Sequence, residues 1–156
     1  MNMEKKYYTP ELEEFHVGFE YEYKLGAYDK GLKTKEEFDS KDWERDVFDG
    51  LHFPYLYRAL NGLNAERGLC HIRVKYLDRE DIESLGFKSK GFLNTNTGYP
   101  TLEVFEKLFS QKIYDKWTIR FSSKGTLLVK QGSGDRFYGT IKNKSELKRL
   151  LKQLGI

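Results

Sequence analysis

Large apolar side chains alternate with polar ones along several short segments of the chain, and this period of two predicts β-strands. The first segment covers residues 15–24, in which polar residues or glycine separate five large side chains: Phe15, Val17, Phe19, Tyr21 and Tyr23. The second covers residues 69–76, where apolar residues alternate with cationic ones. Each segment is predicted to form a strand with one buried face.

The last third of the chain has the pattern of a three-stranded antiparallel meander followed by a helix. Residues 117–141 contain three alternating segments separated by glycine-containing turns. Asn143 and Glu146 then form a capping-box pattern, which marks the start of a helix. This helix carries an apolar stripe that is expected to cover the Trp117 side of the meander, and its members are Leu147, Leu150, Leu151 and Leu154.

These patterns together predict an α+β fold for the chain. It consists of an antiparallel sheet with aromatic-rich strands near residues 15–24, 69–76 and 117–141, together with short helices and a docked amphipathic C-terminal helix. The chain, residues 1–156, is expected to form a single domain. The glycine-rich residues 88–100 are predicted to be a loop and are the candidate internal boundary.

Shorter elements are predicted between these strands. Helices are expected to begin at Thr9, Pro54, Asp78 and Thr101, the last of them running to Phe109. The polar residues 25–42 are predicted to be a loop or a wide hairpin, and no element is assigned to residues 43–48.

Composition narrows the cellular setting and the available chemistry. The chain of 156 residues contains one cysteine, Cys70, which excludes an internal disulfide and a cysteine metal cage. The histidines His16, His52 and His71 do not have a paired zinc-ligand spacing. The first residues lack the apolar core of a secretion signal, and no apolar run reaches membrane length. We therefore expect a cytoplasmic protein without a metal, another cofactor or a membrane partner.

Charge is distributed unevenly between the two halves of the chain. Residues 1–78 contain 12 Lys and Arg against 16 Asp and Glu, a net charge of −4. Residues 79–156 contain 15 against 8, a net charge of +7. A basic C-terminal half suits a nucleotide, a nucleic acid or an acidic protein as partner, and it is also typical of a lysine-rich solvated surface.

The face of the predicted meander opposite Trp117 is the candidate ligand site. Alternation places Leu128 on it, together with the four residues assigned to ligand binding: Arg120, Lys130, Arg136 and Tyr138. Cations around an aromatic ring suit a nucleotide base and its phosphate. The same side chains would also suit packing of this face against the first strands. No catalytic residue is assigned.

The polar face of the first strand offers a second constellation. Glu20 and Glu22 would suit an acid and base pair with His16 nearby, or would simply face solvent. The second strand carries Arg73 and Lys75 on its polar face. Because opposite charges stabilise neighbouring antiparallel strands, the two strands are predicted to be adjacent with these charged faces aligned.

Three segments, covering about a third of the chain in sequence order, resemble the signatures of a protein family. They are Thr9 to Glu22, Ile72 to Gly86, and Gly139 to Ile156 with its Lys142-Asn143-Lys144-Ser145-Glu146-Leu147 core. The family consists of short uncharacterised proteins from phages and prophages of Bacteroidetes-type bacteria. The resemblance implies a phage origin, the cytoplasm of the host cell as location, and an accessory role in modifying or blocking host machinery. It implies no residue role.

The sequence as a whole favours a non-catalytic phage accessory protein that sequesters a host nucleotide-type ligand or inhibits a host protein, including a defence protein. The alternative is a nucleic-acid-binding module that uses the basic C-terminal half. An enzyme that uses Glu20 and Glu22 is the third hypothesis. The pattern does not indicate an oligomeric state.

Metal removal tests the expected absence of a metal site. Because the chain offers one cysteine and three scattered histidines, a chelator should leave the melting temperature unchanged. Differential scanning calorimetry with and without EDTA measures this. A drop of many degrees that one divalent ion reverses would contradict the expectation and would direct attention to His16 and its neighbouring glutamates.

Overall fold

The computed structural model describes residues 6–25, 42–51, 70–93, 101–109, 115–122 and 124–156. Most of the loop predicted at residues 25–42, the helix predicted at Pro54 and the end of the 88–100 loop lie outside these ranges. The chain divides into two compact units, Met1–Tyr76 and Leu77–Ile156. The division therefore falls before the 88–100 segment that the sequence suggested as an internal boundary.

The described part of the first unit is built on a four-stranded antiparallel sheet. Its strands are β1 (Tyr7–Tyr8), β2 (Glu20–Leu25), β3 (Glu44–Val47) and β4 (Cys70–Lys75). They are ordered β1-β4-β2-β3, and a short 3-10 helix, Leu12–Glu14, lies between β1 and β2 in sequence. Among the described residues, the core of this unit includes Phe19, Tyr21, Phe48, Ile72 and Val74.

The first strand begins later than the alternation predicts. Residues 16–19 form a turn, in which the Phe19 amide donates to the His16 carbonyl at 2.8 Å and Gly18 has a φ of +89°. Glycine suits a positive φ because it has no Cβ to clash with the backbone. Val17 lies in this turn and is 73% exposed, so the prediction that it faces the core is wrong. The strand itself starts at Glu20.

Strands β2 and β4 are adjacent and antiparallel, as the charge pattern predicted, and Glu22 lies opposite Arg73. The Arg73 Nε and Nη2 atoms each lie 2.7 Å from Glu22 Oε2. The Arg73 guanidinium also stacks between two rings, 3.7 Å from the Tyr7 centroid and 3.9 Å from the Trp43 centroid. Arg73 thus joins β4 to β1, to β2 and to the residue that precedes β3.

The segment 43–48, to which the sequence assigned no element, contains β3. This strand pairs antiparallel with β2, and Arg45 lies opposite Glu22. The Arg45 Nε approaches Glu22 Oε1 at 3.4 Å, although the Arg45 side chain is 86% exposed. One carboxylate therefore faces two arginines, one stacked between rings and one in solvent.

The second unit contains, within the described residues, two helices and five strands. The helices are α1 (Arg79–Ser84) and α2 (Lys144–Gln153). The strands are β5 (Lys88–Leu93), β6 (Leu102–Leu108), β7 (Lys116–Ser122), β8 (Thr126–Gln131) and β9 (Gly134–Thr140). Each strand pairs antiparallel with the next, so the meander predicted for residues 117–141 is confirmed and extended by two strands.

Two predictions for this unit are wrong. The helix predicted from Thr101 to Phe109 is β6, and the first part of the loop predicted at residues 88–100 is β5. β6 pairs with β5 along one edge and with β7 along the other, so cross-strand hydrogen bonds replace those of a helix. Phe105 is fully buried whereas Leu108 is 64% exposed, which fits a strand and not a single apolar helical stripe.

Both described helices of this unit begin at the residues that the sequence predicts. Asp78 caps α1, and the Asp78 and Asp81 side chains each accept from the other residue's amide. Asn143 caps α2 by accepting from the Glu146 amide at 3.0 Å, and the Asn143 side chain is almost fully buried. Each cap satisfies an amide that has no partner inside its helix.

Helix α2 covers one face of the five-stranded sheet. Its residues Leu147, Leu150 and Leu151 are buried in one cluster with inward-facing strand residues that include Trp117, Ile119, Phe121, Leu127 and Val129. The docked C-terminal helix and its apolar stripe are thus confirmed. The α+β class is confirmed as well, with the strands divided over two antiparallel sheets where the sequence suggested one. Within the described ranges, no helix has the length and apolar character to cross a membrane.

The two arginines that share Glu22 give a matched test of the first unit. Arg73→Met removes a stacked, hydrogen-bonded charge and should lower the free energy of unfolding by about 2–3 kcal/mol. Arg45→Met removes an exposed partner of the same carboxylate and should cost less than about 1 kcal/mol. Urea unfolding followed by Trp43 fluorescence, with Trp117→Phe in both proteins, measures the difference. Equal losses would contradict the role given to Arg73.

Candidate functional site

The side of the five-stranded sheet that faces away from α2, here called the outer face, carries the candidate site. Strand pairing aligns one residue from each strand across the middle of this face, and we call these residues the central row. They are Gly91, Val104, Arg120, Leu128 and Tyr138. The residues before and after them in β7 and β8 point to the α2 side, because successive side chains of a strand alternate between faces.

The central row brings together two of the four residues that the sequence assigned to ligand binding. Arg120 lies opposite Leu128, which in turn lies opposite Tyr138. Because neighbouring strands are about 4.8 Å apart, the Arg120 and Tyr138 backbones are about 10 Å apart, with Leu128 between them. Tyr138 is 76% exposed and presents its ring to solvent. The row therefore has a cation at its middle and an accessible aromatic ring at its β9 end.

Arg120 is the unusual member of the central row. Its Nε is buried, and within the described part of the chain that atom forms no hydrogen bond. Arg120 lies on β7, between Val104 of β6 and Leu128 of β8. Neither of these two side chains can accept a hydrogen bond. A buried donor without an acceptor costs about 1–3 kcal/mol, so an anion at this position would be stabilised.

The other two predicted residues have partners of their own. The Lys130 Nζ lies 3.1 Å from Asp135 Oδ1. The Arg136 Nε and Nη2 donate to Gln131 Oε1 at 3.1 and 2.8 Å. The register of β8 and β9 shifts between Val129 and Lys130, and this irregularity takes Arg136 out of the cross-strand rows. Its guanidinium is bound to Gln131, which lies on the same face of β8 as the core residues Leu127 and Val129.

Sequence reasoning found Lys130 on this face but missed its carboxylate partner, and it missed both members of a second ion pair. Besides the pair of Lys130 and Asp135, Lys116 on β7 forms an ion pair with Glu106 on β6. The signal for Asp135 was present in the sequence, because a tight turn at Gly132 to Gly134 places Asp135 across from Lys130. Glu106 could not be found in this way, because the sequence predicted a helix for its strand.

Two members of the second constellation, His16 and Glu22, have other partners. His16 lies in the turn before β2, where its Nδ1 is 3.0 Å from the Glu14 carbonyl oxygen and its ring contacts Phe19 edge-on. Glu22 is engaged by Arg73 and Arg45. In the described ranges, no three His, Cys, Asp or Glu side chains are gathered closely enough to hold a metal ion.

Comparison with protein-family models, with curated protein sequences and with solved structures finds no match for this chain.

Replacement of Arg120 tests whether its buried Nε lacks an acceptor. Arg120→Met keeps the stem of the side chain and removes the donor, so it should raise the free energy of unfolding by about 1 kcal/mol. Arg149→Met, on the exposed side of α2, removes the same charge and should change it by less than about 0.5 kcal/mol. Chemical denaturation measures both variants. A loss of stability in Arg120→Met would show that the guanidinium has a stabilising partner.

Proposed function

We propose that the second unit is a non-catalytic binding module that holds a nucleotide-type ligand on its outer face. The observation that carries this proposal is the central row, in which the buried, unpartnered Nε of Arg120 is aligned with the exposed ring of Tyr138. A nucleotide has matching groups at its two ends, a flat base and an anionic phosphate.

Each member of the central row has a defined role in this proposal. The Tyr138 ring stacks on the base, a contact that every nucleobase can make. The Arg120 guanidinium donates to the phosphate, as a charge-assisted hydrogen bond that also satisfies its Nε. Leu128 lies between the two and provides an apolar surface under the sugar. The proposal assigns these residues to binding of the ligand and assigns no residue to its conversion.

The distribution of charge on β7, β8 and β9 favours a small ligand over a long nucleic acid. A protein that follows a nucleic-acid backbone neutralises several phosphates with free cations. Here Lys130 is paired with Asp135, Lys116 is paired with Glu106, and Arg136 is bound to Gln131. Arg120 is the cation of the central row that has no such partner in the described part of the chain.

The resemblance to phage and prophage proteins gives this proposal a biological setting. A phage protein in the host cytoplasm that binds a nucleotide without converting it would sequester that nucleotide from the host. Inhibition of a host protein, including a defence protein, is the remaining proposal if no nucleotide binds. The apolar and aromatic character of the central row would then serve as a protein contact.

Binding of nucleotides to matched variants tests the proposal. Tyr138→Ala should weaken binding about tenfold because it removes the stacking ring, whereas Tyr138→Phe keeps the ring and should bind like the wild type. Arg120→Met should abolish detectable binding, and Arg149→Met should not change it. Isothermal titration calorimetry with adenosine and guanosine nucleotides measures these affinities.

Salt dependence separates the small ligand from a nucleic acid in the same experiment. For one phosphate contact, the logarithm of the affinity should fall with the logarithm of salt concentration with a slope no steeper than about −1. Tight binding of single-stranded or duplex DNA with a slope of several units would support the nucleic-acid module instead. Absence of binding to any nucleotide or DNA would overturn the proposed function and leave a protein partner.

A further inference from the structure

We infer that the outer face prefers nucleotides with two or three phosphates, and that Lys88 and Lys90 of β5 bind the phosphates beyond the first. This specificity rests on the proposed function, because it extends the same ligand from Arg120 toward the edge of the sheet. The preferred ligands are therefore nucleoside diphosphates and triphosphates, since a nucleoside monophosphate has no group that reaches β5.

The two lysines of β5 carry positive charge that the described residues do not neutralise. Both residues are exposed, and neither side chain forms a hydrogen bond or an ion pair with a described residue. Lys88 lies opposite Glu106 of β6, and this pairing places it on the outer face. The Glu106 carboxylate is paired with Lys116 of β7. Two lysines therefore share one carboxylate's surroundings, and an excess of positive charge remains.

The surface between Arg120 and β5 is formed by Val104 and Gly91 of the central row. Val104 is small and apolar. Gly91 has no side chain, and no heavy atom lies within 4 Å of the position that a Cβ would take there. Lys90 is the bulged residue that directly precedes Gly91. Among the described residues, this part of the row therefore presents neither a negative charge nor a bulky group to a chain of phosphates.

The span between Arg120 and Lys88 suits a short chain of phosphates. Lys88 is two strands away and two residues further along, because its partner Glu106 lies opposite Thr118. With strands about 4.8 Å apart and a rise of about 3.4 Å per residue, the two backbones are about 12 Å apart. The long arginine and lysine side chains reach into this span, so one phosphate contacts the guanidinium while a following phosphate contacts the ammonium group.

The orientation of the proposed ligand directs its phosphates toward β5. The base lies on Tyr138 of β9, the sugar over Leu128 of β8 and the first phosphate on Arg120 of β7, so each following group lies one strand further across the sheet. Phosphates that turned toward the start of β7 would approach the Asp135 carboxylate, which repels them. Phosphates that turned toward its end would approach Lys124, an exposed lysine in the turn before β8. Lys124 is therefore the matched control for the lysines of β5.

The experiment compares the mono-, di- and triphosphates of adenosine and guanosine by calorimetry, at fixed ionic strength and without divalent ions. Wild-type protein should bind the diphosphate and the triphosphate at least about fivefold more tightly than the monophosphate, the effect of one added charge contact at about 4 Å in water. The double variant Lys88→Met with Lys90→Met should lose this preference and keep its affinity for the monophosphate. Lys124→Met should keep the preference, as should the charge-conserving double variant Lys88→Arg with Lys90→Arg.

The outcomes separate this specificity from the proposed function. If the wild type binds none of these nucleotides, both fail. If the wild type binds the monophosphate as tightly as the diphosphate, the preference is overturned while the proposed function stands. The assignment to β5 is also overturned if the methionine double variant keeps the preference or weakens all three ligands equally, or if Lys124→Met lowers the preference as much.

Discussion

Hydrogen-bonded pairing along both edges of β8 sets the register of the second unit, and the outer face follows from that register. Because Leu127 and Val129 are buried under α2, alternation along the strand places Leu128 and Lys130 on the opposite face of the sheet. The neighbouring strands then add Arg120 and Tyr138 to the row that contains Leu128. Burial of the core on one side of the sheet thus determines which side chains meet on the other.

Charge compensation is a second organising feature, and it appears in both units. In the first unit Glu22 faces Arg73 and Arg45, and in the second unit Lys130 and Lys116 each face a carboxylate. Cross-strand pairs of this kind stabilise sheets modestly and also fix the register of their strands. Against this background, a cation in the middle of a sheet face with a buried and unpartnered Nε requires an explanation, and the phosphate of the proposed ligand would provide one.

Two local patterns led sequence reasoning to the wrong element, each for a physical reason. Helical spacing is shown by Leu102, Phe105, Leu108 and Phe109. The hydrogen-bond partners of β6 nevertheless come from the strands on either side of it, and a local sequence pattern contains no information about these partners. Phe15 to Phe19 alternate as a strand would, but Gly18 adopts a positive φ and the chain turns there. In both cases non-local pairing or one glycine outweighed the intrinsic pattern.

The sequence by itself determined the α+β class, strands β2, β4 and β7 to β9, and both helix caps. It also determined the alignment of Glu22 with Arg73. Local alternation and capping chemistry decide these features. It also placed Arg120 and Tyr138 on one face. Only the tertiary structure decided that β5 and β6 are strands and that the strands form two sheets. It also decided that Lys130 and Arg136 have partners, while the Arg120 Nε has none in the described residues. Partners come from other strands and from a bulge in the register, and neither is encoded within the few residues that a local pattern spans.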